Sequence, residues 1–291
     1  MGGSMTSTAL SVLTWNINRR SADSLDAVES LPAPAPAVLT LQEVTRDQEP
    51  AIRKRLEGLG YATEYARRPH AKKDYGSLVA VHDSLTTLEP LDPADFGFPY
   101  SELVAHVKLD TDGGPVNVIT AHIPNGSGMG WEKVDTLEAL KWMVLTLKGE
   151  PIILTGDFNE PQWDMQDGKI VTWGQDPDTH GHYDCWDFWK FEGRTGPGIR
   201  WDTAVRWFFE STDESGLRNA FWEAKGKHKP EVSHRSRGND RWFDHIFISE
   251  HLRVDSCEYQ HAFRTDEYSD HSALLASLSL TPENMKSKEA E

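Results

Sequence analysis

The chain has 291 residues, and 46 acidic against 30 basic side chains give it a net charge of −16. With 38% hydrophobic residues, including 11 Trp, 11 Phe and 7 Tyr, it can fill one large core, which excludes a globally disordered protein. An acidic surface repels phosphate polyanions except where basic groups are gathered, which counts against indiscriminate nucleic-acid binding.

LSVLTWNI (10–17) is nearly all apolar and predicts a strand buried in a sheet, with a polar group, Asn16, arriving at its end. A short helix is expected in SADSLDAVESL, stopped by PAPAPA (32–37), because proline cannot continue a helix. AVLTLQEV is the next strand and delivers Glu43. Ile52, Leu56 and Leu59 have helical spacing within 47–59, with Asp47 as the expected cap and Gly60 as the stop. YATEYA and YGSLVAV read as a hairpin, and LVAHVKLD and VNVITAHI as strands joined by the turn TDGGP. An amphipathic helix over 132–148 leads into the strand ending at Gly156 and Asp157.

From 162 to 211 this alternation gives way to an aromatic-rich excursion. Its aromatic residues predict a segment packing a small core of its own; the competing reading is a substrate-facing wall that stacks bases or sugars. A helix at 215–224 and three strands ending near Leu280 complete a single domain over 5–280, followed by a polar tail at 281–291. Two basic stretches, RRPHAKK (67–73) and the run from Lys225 to Arg241, stand out against the acidic background.

Polar residues gather at the ends of apolar runs. ILTGDFNEP (153–161) ends a strand in Asp157 and Asn159, which alternation points the same way while Phe158 turns into the core. Alone, Asp and Asn after Gly would be ordinary loop chemistry. TWNINRR (14–20), LQEV (41–44), TAHIPNG (120–126), RWFDHIFIS (241–249) and YSDHSALLASL (268–278) repeat the pattern at five further places.

In order and type these six motifs resemble the endonuclease/exonuclease/phosphatase superfamily over roughly residues 10 to 280. The resemblance implies a four-layer α/β sandwich of two mostly antiparallel β-sheets flanked by helices, with an active site at one end between the sheets. It makes Glu43 the principal metal ligand, with Asn16 and Asp270 beside it. Asp157 becomes the residue that activates or aligns the attacking water, and Asn159 a transition-state donor. His271 is assigned to the water or scissile phosphate, and Asp244 to orienting that imidazole. His122 would protonate the leaving oxygen or neutralise the phosphate. Oxygen ligands without a cysteine or paired-histidine arrangement favour Mg²⁺ or Mn²⁺.

Asn125 in the PN pair looks like the phosphate donor of the exonuclease III and apurinic-site endonuclease branch, although that branch carries Tyr where this chain has His122. Asn18, Arg235, Arg237 and Arg241 are further candidates for holding a phosphate backbone, with Asn18 equally readable as a turn residue. The expected activity is hydrolysis of a nucleic-acid backbone, DNA rather than RNA, by an endonuclease or exonuclease. The alternative is an enzyme acting on a small or lipid phosphate. Cys185 and Cys257, with no CxxC pair and no N-terminal apolar run, fit a reducing cytoplasm, and no apolar stretch is long enough to span a bilayer. A monomer is the family default.

Overall fold

A computed structural model describes residues 9–66, 71–164, 169–227, 229, 231–236 and 238–281. Twelve strands build two mixed sheets of six. The first comprises β1 (Leu10–Asn16), β2 (Val38–Thr45), β3 (Tyr61–Tyr65), β4 (Tyr75–His82), β11 (Leu252–Gln260) and β12 (Ala273–Leu280), in the order β11-β12-β1-β2-β4-β3. The second comprises β5 (Thr86–Leu88), β6 (Val104–Thr111), β7 (Gly114–His122), β8 (Ile152–Asp157), β9 (Leu217–Asn219) and β10 (Asp244–Ser249), in the order β9-β10-β8-β7-β6-β5. Only the pairs β1/β2 and β7/β8 are parallel. The expected sandwich of mostly antiparallel sheets is therefore the one observed.

Alternation along each strand sorts residues into three apolar layers. Val12, Val38, Val118, Ile153, Ile246 and Leu274 meet between the sheets. Their neighbours Leu13, Leu39 and Leu41 face outward onto Ile52 and Leu56 of helix α1 (Glu49–Gly58). On the far side Ile119, Leu154 and Phe247 pack against helix α2 (Glu132–Thr146) and helix α3 (Gly198–Phe209).

The layer between the sheets changes character along its length. Past Val12, Val118 and Ile153 come the buried residues Thr14, Thr40, Gln42, Thr120 and Thr155. Thr40 and Thr155 bond hydroxyl to hydroxyl at 2.9 Å, and Gln42 Nε2 donates to Thr120 Oγ1 at 2.9 Å and Thr14 Oγ1 at 3.1 Å. One alternation step further stand Asn16, His122, Asp157 and Asp244. The strands that make the core thus deliver polar and ionisable groups at one end of it, over a floor of polar side chains bonded to one another.

Three local expectations need correction. Asp47 does not cap α1: Gln48 precedes the helix, and Asp47 instead accepts from Thr45 Oγ1 at 2.5 Å. The stretch expected as a helix over 215–224 begins as strand β9, paired antiparallel with β10, before α4 (Ala220–Lys225) starts under the Asn219 side-chain cap. Among the described residues the aromatic excursion adds to an existing core in place of forming its own: Trp201, Trp207, Phe208 and Phe209 join α2 and Phe158 in the outer core of the second sheet. Such large rings complete a layer that α2 covers only in part. Basic residues 67–70 and tail residues 282–291 lie outside the described residues. Among the described residues no helix is long and apolar enough to cross a membrane.

Candidate active site

Sheet register assembles the centre of the site. Asp157 pairs with His122 on one flank and with Asp244 on the other, so three adjacent strands end in ionisable side chains. Gly156 takes φ +135, and a Cβ there would stand 1.9 Å from the Ala121 carbonyl oxygen. Only glycine permits this close approach of β8 to β7 directly before Asp157.

Asp157 Oδ2 is the hub. It accepts from Asn16 Nδ2 at 2.9 Å and lies 3.8 Å from both His122 Nε2 and His271 Nε2. Its other oxygen accepts from the Asn159 backbone N–H at 2.8 Å, fixing the turn in which Asn159 adopts φ 50. The Asn159 amide donates to the Ile123 carbonyl oxygen at 3.0 Å and sits 3.5 Å from His122 Nε2. Burial raises the Asp157 carboxyl above its ordinary range, and nearby Asp244 adds to this against the opposing charges of His271 and His122.

His271 Nδ1 meets Asp244 Oδ2 at 2.8 Å, leaving Nε2 directed toward Asp157. Burial disfavours the imidazolium, but Asp244, with Asp157 and Asp270, outweighs it and lifts the pKa to about 10. The pairing with Asp244 favours the imidazolium, whose Nε2–H points toward Asp157. Trp15 Nε1 holds the His271 carbonyl oxygen at 3.1 Å, tying β1 to the SDHS turn.

Glu43 lies in a β-bulge of β2 between Leu41 and Val44, with φ 56. The bulge re-aims the side chain: Oε1 reaches Asn16 Nδ2 at 3.4 Å and His122 Nε2 at 3.8 Å. Burial works against ionisation of Glu43, but His122, Asn16 and Arg19 outweigh it and hold the carboxyl below its usual range. Asp270 belongs to a second grouping, with Oδ2 3.5 Å from His234 Nε2 and Oδ1 3.8 Å from His271 Nε2. It is held low too: burial is outweighed by the His234 hydrogen bond and the charge of His271.

These groups fit a hard divalent cation. Among the described residues Asp270 Oδ1 and Asp244 Oδ1 are buried without a hydrogen-bond partner. Ligand atoms of Asp157, Asp244 and His271, and of His234, Asp270 and His271, converge within 4.8 Å. The Glu43 carboxylate and the His122 imidazole stand beside them, and the carboxylates suit Mg²⁺ or Mn²⁺ chemistry.

The outlying candidates fare differently. Asn18 has φ 48 and its backbone N–H donates to Asn16 Oδ1 at 2.9 Å, which is turn chemistry. Asn125 caps a short turn through Ser127 N at 2.9 Å and is exposed beside a cavity. Arg235 is engaged by Asp240 at 2.5 Å across a hairpin, so its charge is already matched. Arg241 lines the same cavity as Asn125, with its guanidinium 5.7 Å from the Trp173 ring centre. Arg237 lies outside the described residues.

Several residues of the site carry no sequence signal of their own. Arg19 reaches Glu43 Oε2 at 3.0 Å while lying over the Tyr75 ring at 4.5 Å. His234, within the polar run before Trp242, packs its ring 4.4 Å from that of His271. Lys133 and Glu160 pair beneath the Asn159 turn. Their adjacency arises from tertiary folding, though Glu160 stands next to the GDFN motif and Arg19 within TWNINRR.

The endonuclease/exonuclease/phosphatase family model matches residues 13–271. Among solved structures, a D. rerio TDP2 humanized by 14 mutations aligns at TM-score 0.62 and 13% identity, over 93% of this chain and 99% of that one. A 3′ phosphatase from Neisseria, NExo, bound to a product DNA hairpin, aligns at TM-score 0.63 and 18% identity, over 92% and 98%. ANGEL2, a 2′,3′-cyclic phosphatase in complex with adenosine-2′,3′-vanadate, aligns at TM-score 0.60 and 19% identity, over 95% and 97%. No curated protein matches in sequence. At these identities the structures speak for the fold, while the family model spans every cluster from β1 to His271. The chain belongs to the endonuclease/exonuclease/phosphatase family and is a phosphoesterase, in a family whose members typically depend on divalent metal.

Proposed function

We propose that this enzyme is a Mg²⁺- or Mn²⁺-dependent phosphodiesterase that hydrolyses a nucleic-acid backbone, DNA in preference to RNA. The observation that carries the phosphoester chemistry is the convergence of Asn16, His122 and His271 on one oxygen of Asp157. Support for a nucleic-acid substrate comes from Asn125 and Arg241, which line a cavity opening beside His234. The PN pair containing Asn125 further supports kinship with the exonuclease III branch.

Glu43 with Asn16, and in the second grouping Asp270, are the places that would hold metal, which when bound would neutralise phosphate charge and lower the pKa of water. Asp157, kept from full solvation, accepts a proton from the attacking water or aligns it. Asp244 fixes the His271 tautomer and stabilises its charged form, so that Nε2–H faces the charge gathering on the phosphate. Asn159 adds an amide donor at the same place. His122, close to both Glu43 and Asp157, stands where it can neutralise the phosphate or protonate a leaving oxygen.

The experiment is hydrolysis of end-labelled single-stranded DNA, duplex DNA, abasic duplex and RNA, beside inositol phosphate and sphingomyelin substrates. Metal-dependent shortening of DNA is expected, and the product ladder separates endo from exo attack. The net charge of −16 favours the alternative of a small or lipid phosphate. Release of phosphate or headgroup with every polymer intact would establish that reading instead.

A further inference from the structure

The side chains of Lys133 and Glu160 are both 0% exposed, and the chemistry above uses neither. Glu160 Oε1 accepts from Lys133 Nζ at 3.1 Å and from Trp201 Nε1 at 2.8 Å. Replacing such a buried pair by well-packed apolar residues is often neutral or stabilising, so its presence is weak evidence of a role in stability. Val134, Leu137 and Leu140 bury apolar side chains from the same helix, α2. What an apolar residue at 133 would lack is a directed, charge-assisted donor.

That donor is aimed at the main chain of the Asn159 turn. Lys133 Nζ donates to the Asn159 carbonyl oxygen at 2.6 Å, and Trp173 Nε1 donates to the same oxygen at 3.2 Å. At the other end of the residue the Asn159 N–H donates to Asp157 Oδ1 at 2.8 Å. The next carbonyl, that of Glu160, is held by His245 Nε2 at 2.9 Å. Asn159 has φ 50, a left-handed conformation that a residue other than glycine keeps only where its surroundings fix it. Fixed in this way, its amide reaches the Ile123 carbonyl oxygen at 3.0 Å and sits 3.5 Å from His122 Nε2.

Trp173 and Trp201 both come from the aromatic excursion, so α2 and the excursion close on the turn from two sides. A donor group displaced by even 1 Å loses much of its effect on a transition state. We propose that Lys133, Glu160 and Trp173 are positioning residues for hydrolysis, acting through the Asn159 main chain to hold its amide beside His122. This inference rests on the role proposed above for Asn159 and is the same for a nucleic-acid, small or lipid substrate.

The test is kcat and KM on the fastest cleaved of DNA, RNA, inositol phosphate and sphingomyelin. Trp173→Phe, and Lys133→Met together with Glu160→Gln, are each measured with Asn159 in place and with Asn159→Ala. Positioning predicts kcat lowered about fivefold or more by Trp173→Phe and about 10²-fold by the paired change, with KM within about twofold. Once Asn159 is replaced, each should cost at most about twofold more. Equal losses in both backgrounds, or native kcat in both variants, overturn the proposal. Trp173→Phe keeps the ring and removes only the donor, so it decides where the paired change does not fold. Amide hydrogen exchange followed by NMR gives a readout independent of activity. Trp173→Phe should speed exchange of the Asn159 N–H by about tenfold while the amides of β8 keep native rates. Uniform acceleration, or none, also overturns the proposal. Asn159→Ala alone scores the underlying role: native kcat there removes it and positioning with it. A slow Asn159→Ala beside full-rate Trp173→Phe and paired variants removes positioning alone.

Discussion

Lys133 Nζ lies 3.1 Å from Glu160 Oε1 with both side chains wholly excluded from solvent, and the same ammonium donates to the Asn159 carbonyl oxygen at 2.6 Å. Burial pushes Lys133 down and Glu160 up, each toward its neutral form, while their mutual attraction opposes this. Trp201 Nε1 also donates to Glu160 Oε1 at 2.8 Å, so the pair joins α2, the aromatic excursion and the Asn159 turn.

Removing one partner strands the other without compensation. Lys133→Met should destabilise the protein by about 3–5 kcal/mol, and Lys133→Met with Glu160→Gln by clearly less than the sum of the single changes. Denaturant unfolding of the four proteins of this cycle checks it; additive losses would show that the two groups act independently.

Asp244 acts through His271. Asp244→Asn should leave the fold in place and lower the hydrolytic rate by about 10²- to 10⁴-fold, because an amide at 2.8 Å no longer stabilises the imidazolium. Rates on any cleaved substrate, measured from pH 6 to 9, check this. A drop within about threefold would contradict the assigned role.

His245, next in sequence to Asp244, faces the other way into the aromatic core and is held neutral. Its Nε2 pairs with the Glu160 carbonyl oxygen at 2.9 Å and its Nδ1 with the Asn219 amide at 3.4 Å. Burial lowers its pKa from 6.5 to about 4. The unfolded chain therefore binds the extra proton first, so this contribution to stability is complete above pH 6.5 and is lost as pH falls toward 4. The difference amounts to about 3 kcal/mol. A His245→Gln protein lacks this titration. The stability gap between it and the native protein should therefore narrow by that amount from pH 7 to pH 4, as read from urea unfolding at each pH; a constant gap would contradict it.

Much of this arrangement is visible in the chain because alternation carries information twice. The rule that buries Val12, Ile153 and Ile246 between the sheets also aims Asn16, Asp157 and Asp244 to one end of the same layer. The ends of the apolar runs in TWNIN, GDFN and WFDH thus mark the site within the amino-acid sequence itself. What alternation cannot show is departure from regular backbone. Glu43 reaches Asn16 because a bulge and a positive φ interrupt β2, and LQEV reads as an uninterrupted strand. Side-chain partnership across distant segments is equally hidden. Lys133 reads as one polar position of an amphipathic helix, and Arg235 as an unmatched cation until its hairpin brings Asp240 beside it. The excursion defeats both rules, since its aromatic residues divide between the outer core, as with Phe208, and the cavity, as with Phe188.

The most direct measurement is the rate of DNA hydrolysis by native and Asp157→Asn proteins, each in Mg²⁺, in Mn²⁺ and in excess chelator. Asp157→Asn changes one oxygen of the hub to nitrogen and preserves its shape. The account predicts cleavage by the native protein with either metal, none with chelator, and a rate at least about 10²-fold lower for the variant. Undiminished cleavage by Asp157→Asn, or cleavage that persists in chelator, would contradict it.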